Sequence, residues 1–184
     1  LHEGLLLRIE READLARSGR PGRIIAKMNA LVDPQIILAL YKASNAGVQI
    51  DLIIRGVCCL RPGIAGVSDN IRVRSIVGRF LEHPRVYFFA NDGDDELYCS
   101  SADWMERNFF RRIEVAFPII DSELRAAIVA DLQLYLRDDQ QAWVLGSEGR
   151  FTHVAAAIDS PSCSAQQELM QRYVAAAGSA CSMP

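Results

Sequence analysis

The sequence predicts an α/β fold with a mixed, partly parallel sheet flanked by helices. Three observations carry the prediction. A strand, a helix and a second strand follow one another between Arg23 and Arg55, and a strand–helix–strand unit of about 30 residues makes parallel neighbours. A further alternating stretch, Ile71 to Val77, follows a long loop. Asn91-Asp92-Gly93 then separates two apolar runs, Arg85 to Ala90 and Glu96 to Ser100, which is the signature of an antiparallel hairpin.

The elements follow in order. Leu5, Leu6, Ile9, Ala13 and Ala16 recur at helical spacing across residues 1–18, and Gly19 stops the helix. Arg23 to Met28 reads as a buried strand. Asp33-Pro34 combines an N-cap with proline at the first helical position, ahead of Ile36, Ile37, Leu40 and Ala43, and that helix ends near Gly47. Val48, Ile50, Leu52 and Ile54 alternate with Gln49, Asp51, Ile53 and Arg55, as a strand requires. Cys58 to Asn70 is a loop with Pro62-Gly63 and Gly66, long enough to suspect function. Arg72 and Arg74 share one face of the next strand. Gly78 to His83 reads as a helical turn, and Ile113 to Phe117 as a short strand. Asp121 caps a helix carrying Leu124, Ile128, Leu132 and Tyr135, and residues 164–175 form a last helix before a frayed end at 176–184.

At 184 residues the chain is expected to form one domain, 1–184, with a poorly defined tail over about 155–184. It opens on Leu1 rather than Met, and the expectation is a fragment of a longer protein. The five cysteines show no zinc spacing and no CxxC pair. They are expected to be reduced thiols, most of them buried, in a cytoplasmic protein. No apolar run approaches the ~20 residues of a membrane span. His2 and His153 read as surface residues.

Net charge is −3, which argues against a nucleic-acid coat protein or a polybasic membrane binder. The distribution says more. Of the 20 basic residues only Lys27 and Lys42 are lysine. Six arginines stand between Arg55 and Arg85, at 55, 61, 72, 74, 79 and 85, against two acids, Asp69 and Glu82, a local excess of +4. Genome composition can set an Arg/Lys ratio, but it does not cluster charge. Arginine is the side chain best suited to bidentate capture of phosphate.

Three groups could carry chemistry. His83, between Arg79 and Arg85, could move a proton beside an anionic substrate, or simply close a turn. Ser101, in the run Ser100 to Asn108 that holds Asp103, could face a phosphate, or serve a helix N-cap. Lys27 stands at a strand end. Together they match what phosphoryl transfer needs: positioning and dispersal of negative charge. No Walker loop, GxGxxG, nucleophile elbow or kinase signature occurs.

Several linked runs resemble the C-terminal domain of the bacterial polyphosphate kinase family. They are Ile24-Ile25-Ala26-Lys27-Met28-Asn29-Ala30-Leu31-Val32-Asp33-Pro34, then Ile54-Arg55-Gly56-Val57-Cys58-Cys59-Leu60-Arg61-Pro62-Gly63, then Ser68 to His83, and Ser101-Ala102-Asp103-Trp104-Met105 with Arg107-Asn108. The similarity runs from Leu5 to about His153.

The resemblance implies a phospholipase-D-like domain, the second of two in the family's catalytic portion. It implies ATP or ADP and inorganic polyphosphate as substrates. The γ-phosphoryl group would pass through a histidine on the preceding domain of the same chain. Magnesium ligands would lie there too, with no metal site in this fragment. Arg55 and His83 match residues that contact the nucleotide phosphates. Lys27, Arg85 and Ser101 are further candidates for phosphate binding, and His83 for general acid/base work. The fragment alone is expected to be inactive. The full-length protein is expected to be a homo-oligomer without nucleic-acid partners or a transmembrane segment, cytoplasmic or associated with the membrane as an assembly.

The phospholipase-D pattern His-x-Lys is replaced by His83-Pro84-Arg85, with Ala90 at the Asp spacing and Ser100-Ser101 for the later Gly-Ser pair. That disfavours the alternative of a diesterase. A non-catalytic phosphate-binding module is the other alternative.

Overall fold

A computed structural model describes residues 1–155 and 162–180. Its centre is an eight-stranded mixed sheet. Three strands are parallel: β1 (Arg23–Met28), β2 (Gln49–Ile54) and β3 (Ile71–Ile76). The rest are antiparallel to their neighbours: β4 (Arg85–Phe89), β5 (Glu96–Ser100), β6 (Ala116–Pro118), β7 (Ala142–Leu145) and β8 (Phe151–His153). The order across the sheet is β6-β5-β4-β1-β2-β3-β7-β8. The parallel crossover from β1 to β2 is helix α2 (Pro34–Asn45), whereas β2 reaches β3 through a loop with no helix. Fully buried Ser68 organises that loop, donating to the Arg61 carbonyl at 2.7 Å and accepting from Ile64 N at 2.9 Å.

Strand alternation divides the core in two. Ile24, Ala26 and Met28 of β1 and Ile50, Leu52 and Ile54 of β2 face α1 (His2–Arg17) and α2, meeting Leu5, Ile9, Ile36 and Leu40. Ile25, Ile53, Val86 and Phe88 face the other way, onto Ile128, Leu132 and Tyr135 of α4 (Ser122–Arg137). Central strands covered on both faces carry few polar residues, because each buried aliphatic side chain stabilises the fold by about 1.5–3 kcal/mol.

Polar anchors fix the layers. Buried Glu12 of α1 accepts from Arg23 N at 3.1 Å and Asn91 N at 2.7 Å, tying the helix to the start of β1 and to the β4–β5 turn. That turn places Asn91, Asp92 and Gly93 at positive φ (43°, 58° and 94°), which suits Asn, Asp and Gly. Asp33 caps α2, accepting from Gln35 N and Ile36 N at 3.0 and 2.9 Å.

Several expectations change. His2 is buried rather than on the surface: its Nε2 lies 3.2 Å from Asp33 and its ring packs on Phe109 and Phe110. His153 is exposed, as expected. Gly78 to His83 is not a helical turn but extended and bent chain. The strand expected at Ile113 to Phe117 lies at Ala116–Pro118, and Leu124 of α4 is exposed. The cysteines are not buried: Cys59 is exposed and Cys58, Cys99 and Cys163 are half-buried, while Cys181 lies outside the described residues. The expected tail contains a helix, α5 (Ala165–Ala180), longer than predicted; 181–184 lie outside the described residues. Strands β7 and β8 were not predicted.

Two predictions follow from these anchors. Asp33→Ala is expected to destabilise the domain by about 1–2 kcal/mol in urea unfolding, since one carboxylate caps two N–H groups. Glu96 provides the second. Burial alone would raise its pKa, but hydrogen bonds from Arg11, Arg8 and Tyr98 outweigh burial and hold it below the ordinary glutamate range. A lowered folded pKa gives stability that is present above about pH 4.3 and lost as pH falls through the folded value. The stability difference between wild type and Glu96→Gln should therefore shrink below about pH 4.

Candidate functional site

The C-terminal ends of β1, β2 and β3 open onto one rim of the sheet. Register puts the start of β4 and the end of β5 there as well: Lys27 pairs with Val86, and Arg85 with Ser100. Ligands in open α/β sheets gather at this rim.

Beyond Met28 the chain is pinned from two sides. Leu31 N donates to Val57 O and Cys59 N to Leu31 O, both at 2.9 Å. On the other side Trp104 N donates to Ala30 O at 3.1 Å. Trp104 is fully buried against Tyr87, with ring centroids 5.0 Å apart.

Asp103 sits at the centre of this junction and is 8% exposed. It accepts from Asn29 N at 2.7 Å and from Ala30 N at 3.3 Å. Arg85 grips the same carboxylate through Nε and Nη2, each at 3.2 Å. It therefore does not cap the following helix, α3 (Glu106–Arg111), whose N-cap is Met105. Asn29 continues the chain of contacts, its Oδ1 accepting from Arg55 Nε at 2.9 Å.

His83 is exposed next to Arg85. Arg85 Nη1 lies 3.3 Å from both ring nitrogens. A nitrogen equidistant from both must meet the imidazole from its face, which leaves the ring edges open to solvent. Arg55 and Arg79, with Ile76 to Glu82, line a groove of about 390 Å³ on this rim. Neither arginine forms an ion pair among the described residues. Arg79 lies over the Phe80 ring at 5.5 Å. The other arginines of the cluster are engaged elsewhere: Arg61 with the Ser147 carbonyl, Arg74 with carbonyls at the end of α4, and Arg72 4.0 Å from Asp51.

Two expected site residues are engaged by other protein groups. Lys27 is only 2% exposed and pairs with Glu82 at 2.9 Å beneath the rim. Burial holds its ammonium below the ordinary lysine range, opposed by Glu82, with Arg55 and Arg85 adding repulsion. It is not free to meet a phosphate. Ser101 is at the rim, but its hydroxyl donates to Glu114 and accepts from Val115 N. That bond, with one from Asn108, holds the Glu114 carboxyl below its usual range. Sequence reasoning missed the roles of Asp103, Asn29 and Glu114. Asp103 and Asn29 stand within the quoted runs, but nothing in them showed that the two would meet.

Among the described residues no three His, Cys, Asp or Glu side chains are grouped to hold a metal ion. The rim carboxylate of Asp103 is already filled by N–H donors and Arg85, so these residues do not fit a magnesium site. No described helix is long and apolar enough to cross a membrane.

The profile of the family described as Polyphosphate kinase C-terminal domain 2 matches residues 1–166. The chain belongs to this family. It is 59% identical to a polyphosphate kinase of Xylella fastidiosa over 172 residues, 93% of this chain and 25% of that protein. It is 51% identical to one of Pseudomonas aeruginosa over 175 residues, 95% of this chain and 25% of that protein. The chain thus spans about a quarter of the length of these relatives.

The solved polyphosphate kinase of Porphyromonas gingivalis superposes with a TM-score of 0.91 at 40% identity, over 95% of this chain and 27% of that one. NucT from Helicobacter pylori superposes at 0.52 with 14% identity, over 74% of this chain and 91% of that one. That likeness shows the fold alone, a mixed α/β sheet flanked by helices, the fold class that the sequence predicted.

Removing the central carboxylate is the direct test of this junction. Asp103→Ala leaves Arg85 and two N–H groups without their acceptor, and is expected to cost about 3–5 kcal/mol in denaturant unfolding.

Proposed function

We propose that this chain is the second phospholipase-D-like domain of a polyphosphate kinase catalytic site, and that its rim contacts the phosphates of ATP and polyphosphate. The observation that carries the reading is the pair Arg55 and Arg79. They line one groove at the strand ends, next to His83, and neither forms an ion pair among the described residues; Glu82 of the same groove is taken up by Lys27.

Transfer runs in two reversible steps. The γ-phosphorus forms a bond to a histidine nitrogen on the preceding domain as its bond to the ADP oxygen breaks. A terminal polyphosphate oxygen then displaces that nitrogen. Arg55 contacts the nucleotide phosphates through its free guanidinium donors, with Arg79 supplying further charge and Arg85, held by Asp103, orienting His83. Charge dispersal by fixed guanidinium groups stabilises a loose phosphoryl transition state. His83 moves a proton at a phosphate oxygen or fixes that oxygen by a hydrogen bond. Ser101 contributes a phosphate contact only by exchanging its bond to Glu114. The domain spans residues 1–184 and transfers nothing alone, because the phosphorylated histidine belongs to the preceding domain.

The test is made in full-length polyphosphate kinase by following ATP-dependent polymer synthesis. His83→Ala should lower kcat by about 10²- to 10⁴-fold with the fold intact, as loss of a proton-transfer group does. Arg55→Ala should raise the KM for ATP by about 10- to 100-fold, the value of a charge-assisted contact. Unchanged turnover in the first variant, or an unchanged KM in the second, would remove that residue from the site. Formation of a phosphohistidine by the isolated chain would overturn the domain assignment.

A further inference from the structure

The segment between β3 and β4 carries Arg79 and His83, yet it has little structure of its own. Val77 N donates to Gln141 O at 3.0 Å, and from Gly78 to His83 no backbone-to-backbone hydrogen bond is made among the described residues. Something else holds this stretch in place.

One side chain does so. Gln166, 5% exposed in the first turn of α5, binds both backbone groups of Phe80. Phe80 N donates to its Oε1 at 3.0 Å, and its Nε2 donates to Phe80 O at 2.8 Å. The amide thus mimics one rung of a strand. Its second N–H reaches Glu82 Oε1 at 2.7 Å. The other carboxylate oxygen of Glu82 meets Lys27 Nζ at 2.9 Å, and that ammonium lies 4.9 Å from the centroid of the Tyr135 ring. β1, α4 and α5 therefore converge on two residues of one loop.

Gly78 is part of the same arrangement. A Cβ built there would stand 2.5 Å from both Gln166 Oε1 and Gln141 Nε2. Glycine is what lets the two amides close over the chain.

The start of α5 is fixed independently of Gln166. Asp138, at the end of α4, accepts from Ala165 N at 2.7 Å and from Gln140 N and Gln141 N. Cys163 N and Asp139 Oδ1 meet at 2.8 Å, and Asp131 receives Arg172 at 2.6 Å. These contacts hold the helix without Gln166.

We infer that Gln166 is a positioning residue for phosphoryl transfer: locked to the buried Lys27–Glu82 pair, it sets the place of the segment that presents Arg79 and His83. The inference rests on the reading of that rim as the phosphate-binding site. It gives the final helix a part in catalysis without contact with substrate, because misplacement of reacting groups by an ångström costs rate even when every catalytic group is present.

The experiment uses full-length polyphosphate kinase with Gln166→Ala, His83→Ala and the double variant, with Gln167→Ala as a control at an exposed neighbour. Gln166→Ala is expected to lower kcat/KM for ATP by about 10- to 100-fold while the unfolding transition stays in place. Gln167→Ala should match wild type. In the His83→Ala background, removal of Gln166 should cost much less than it does alone, because its effect runs through the His83 segment. Full additivity would overturn the inference.

Should His83→Ala leave turnover intact and Arg55→Ala leave the KM for ATP unchanged, the phosphate-site reading itself fails. Should His83→Ala abolish turnover while Gln166→Ala changes neither kcat nor KM, the positioning role alone fails. Gly78→Ala is the second variant, crowding the same amide from the loop side. It should reproduce the kinetic loss. If both variants lose activity only in proportion to unfolded protein, the contact is merely structural and the inference is overturned.

Discussion

The site depends on one carboxylate in a place where an unpaired charge could not persist. Asp103 gathers two backbone N–H groups from the end of β1 and a forked guanidinium from the start of β4. Each partner alone would compensate its desolvation poorly; together they fill its acceptor sites. The same contacts fix where β1 ends, aim Arg85 across His83 and seat Asn29 beneath Arg55. Secondary structure delivers the strands to the rim, and this polar junction decides how their last residues are arranged there.

The local excess of positive charge resolves into separate uses. Arg74 and Arg61 bind carbonyl groups and secure α4 and the β7–β8 turn, and Arg85 is neutralised by Asp103. Arg55 and Arg79 are the two that border one groove with no ion pair among the described residues. Alternation also matters. Arg55 follows the face of Lys27 and Ile53, whereas Arg85 follows that of Tyr87. The two guanidinium groups approach the rim from opposite faces of the sheet and are joined through Asn29 and Asp103.

Local chemistry was legible in the sequence. Asp33-Pro34, the alternation in β2, the βαβ unit and the Asn91-Asp92-Gly93 turn all appear as expected, because each is decided by a few adjacent residues. What was illegible is decided by partners far along the chain. The stretch 78–83 looks like a turn until Gln166, 86 residues beyond Phe80, holds it open. His2 looks like a surface residue until Asp33, Phe109 and Phe110 surround it. β7 and β8 are four and three residues long, with mostly exposed side chains, and no alternation announces them. In the site, Arg55, Asn29, Asp103, Arg85 and His83 are joined by successive contacts at the rim, and no adjacent residues announce that chain of contacts. The burial of Lys27 and the engagement of Ser101 by Glu114 needed the fold to be seen.

The sheet ends on both sides in strands of three residues, β6 and β8. Eight strands leave two outer ladders of N–H and C=O groups, and such ladders can recruit the same strands of another copy. Here each ladder is too short to template a ninth strand. Pro118, the last residue of β6, has no N–H to offer. The brevity of these outer strands is thus a guard against fibre-like self-association of a chain whose central strands, β1 and β2, are buried over nearly all their length.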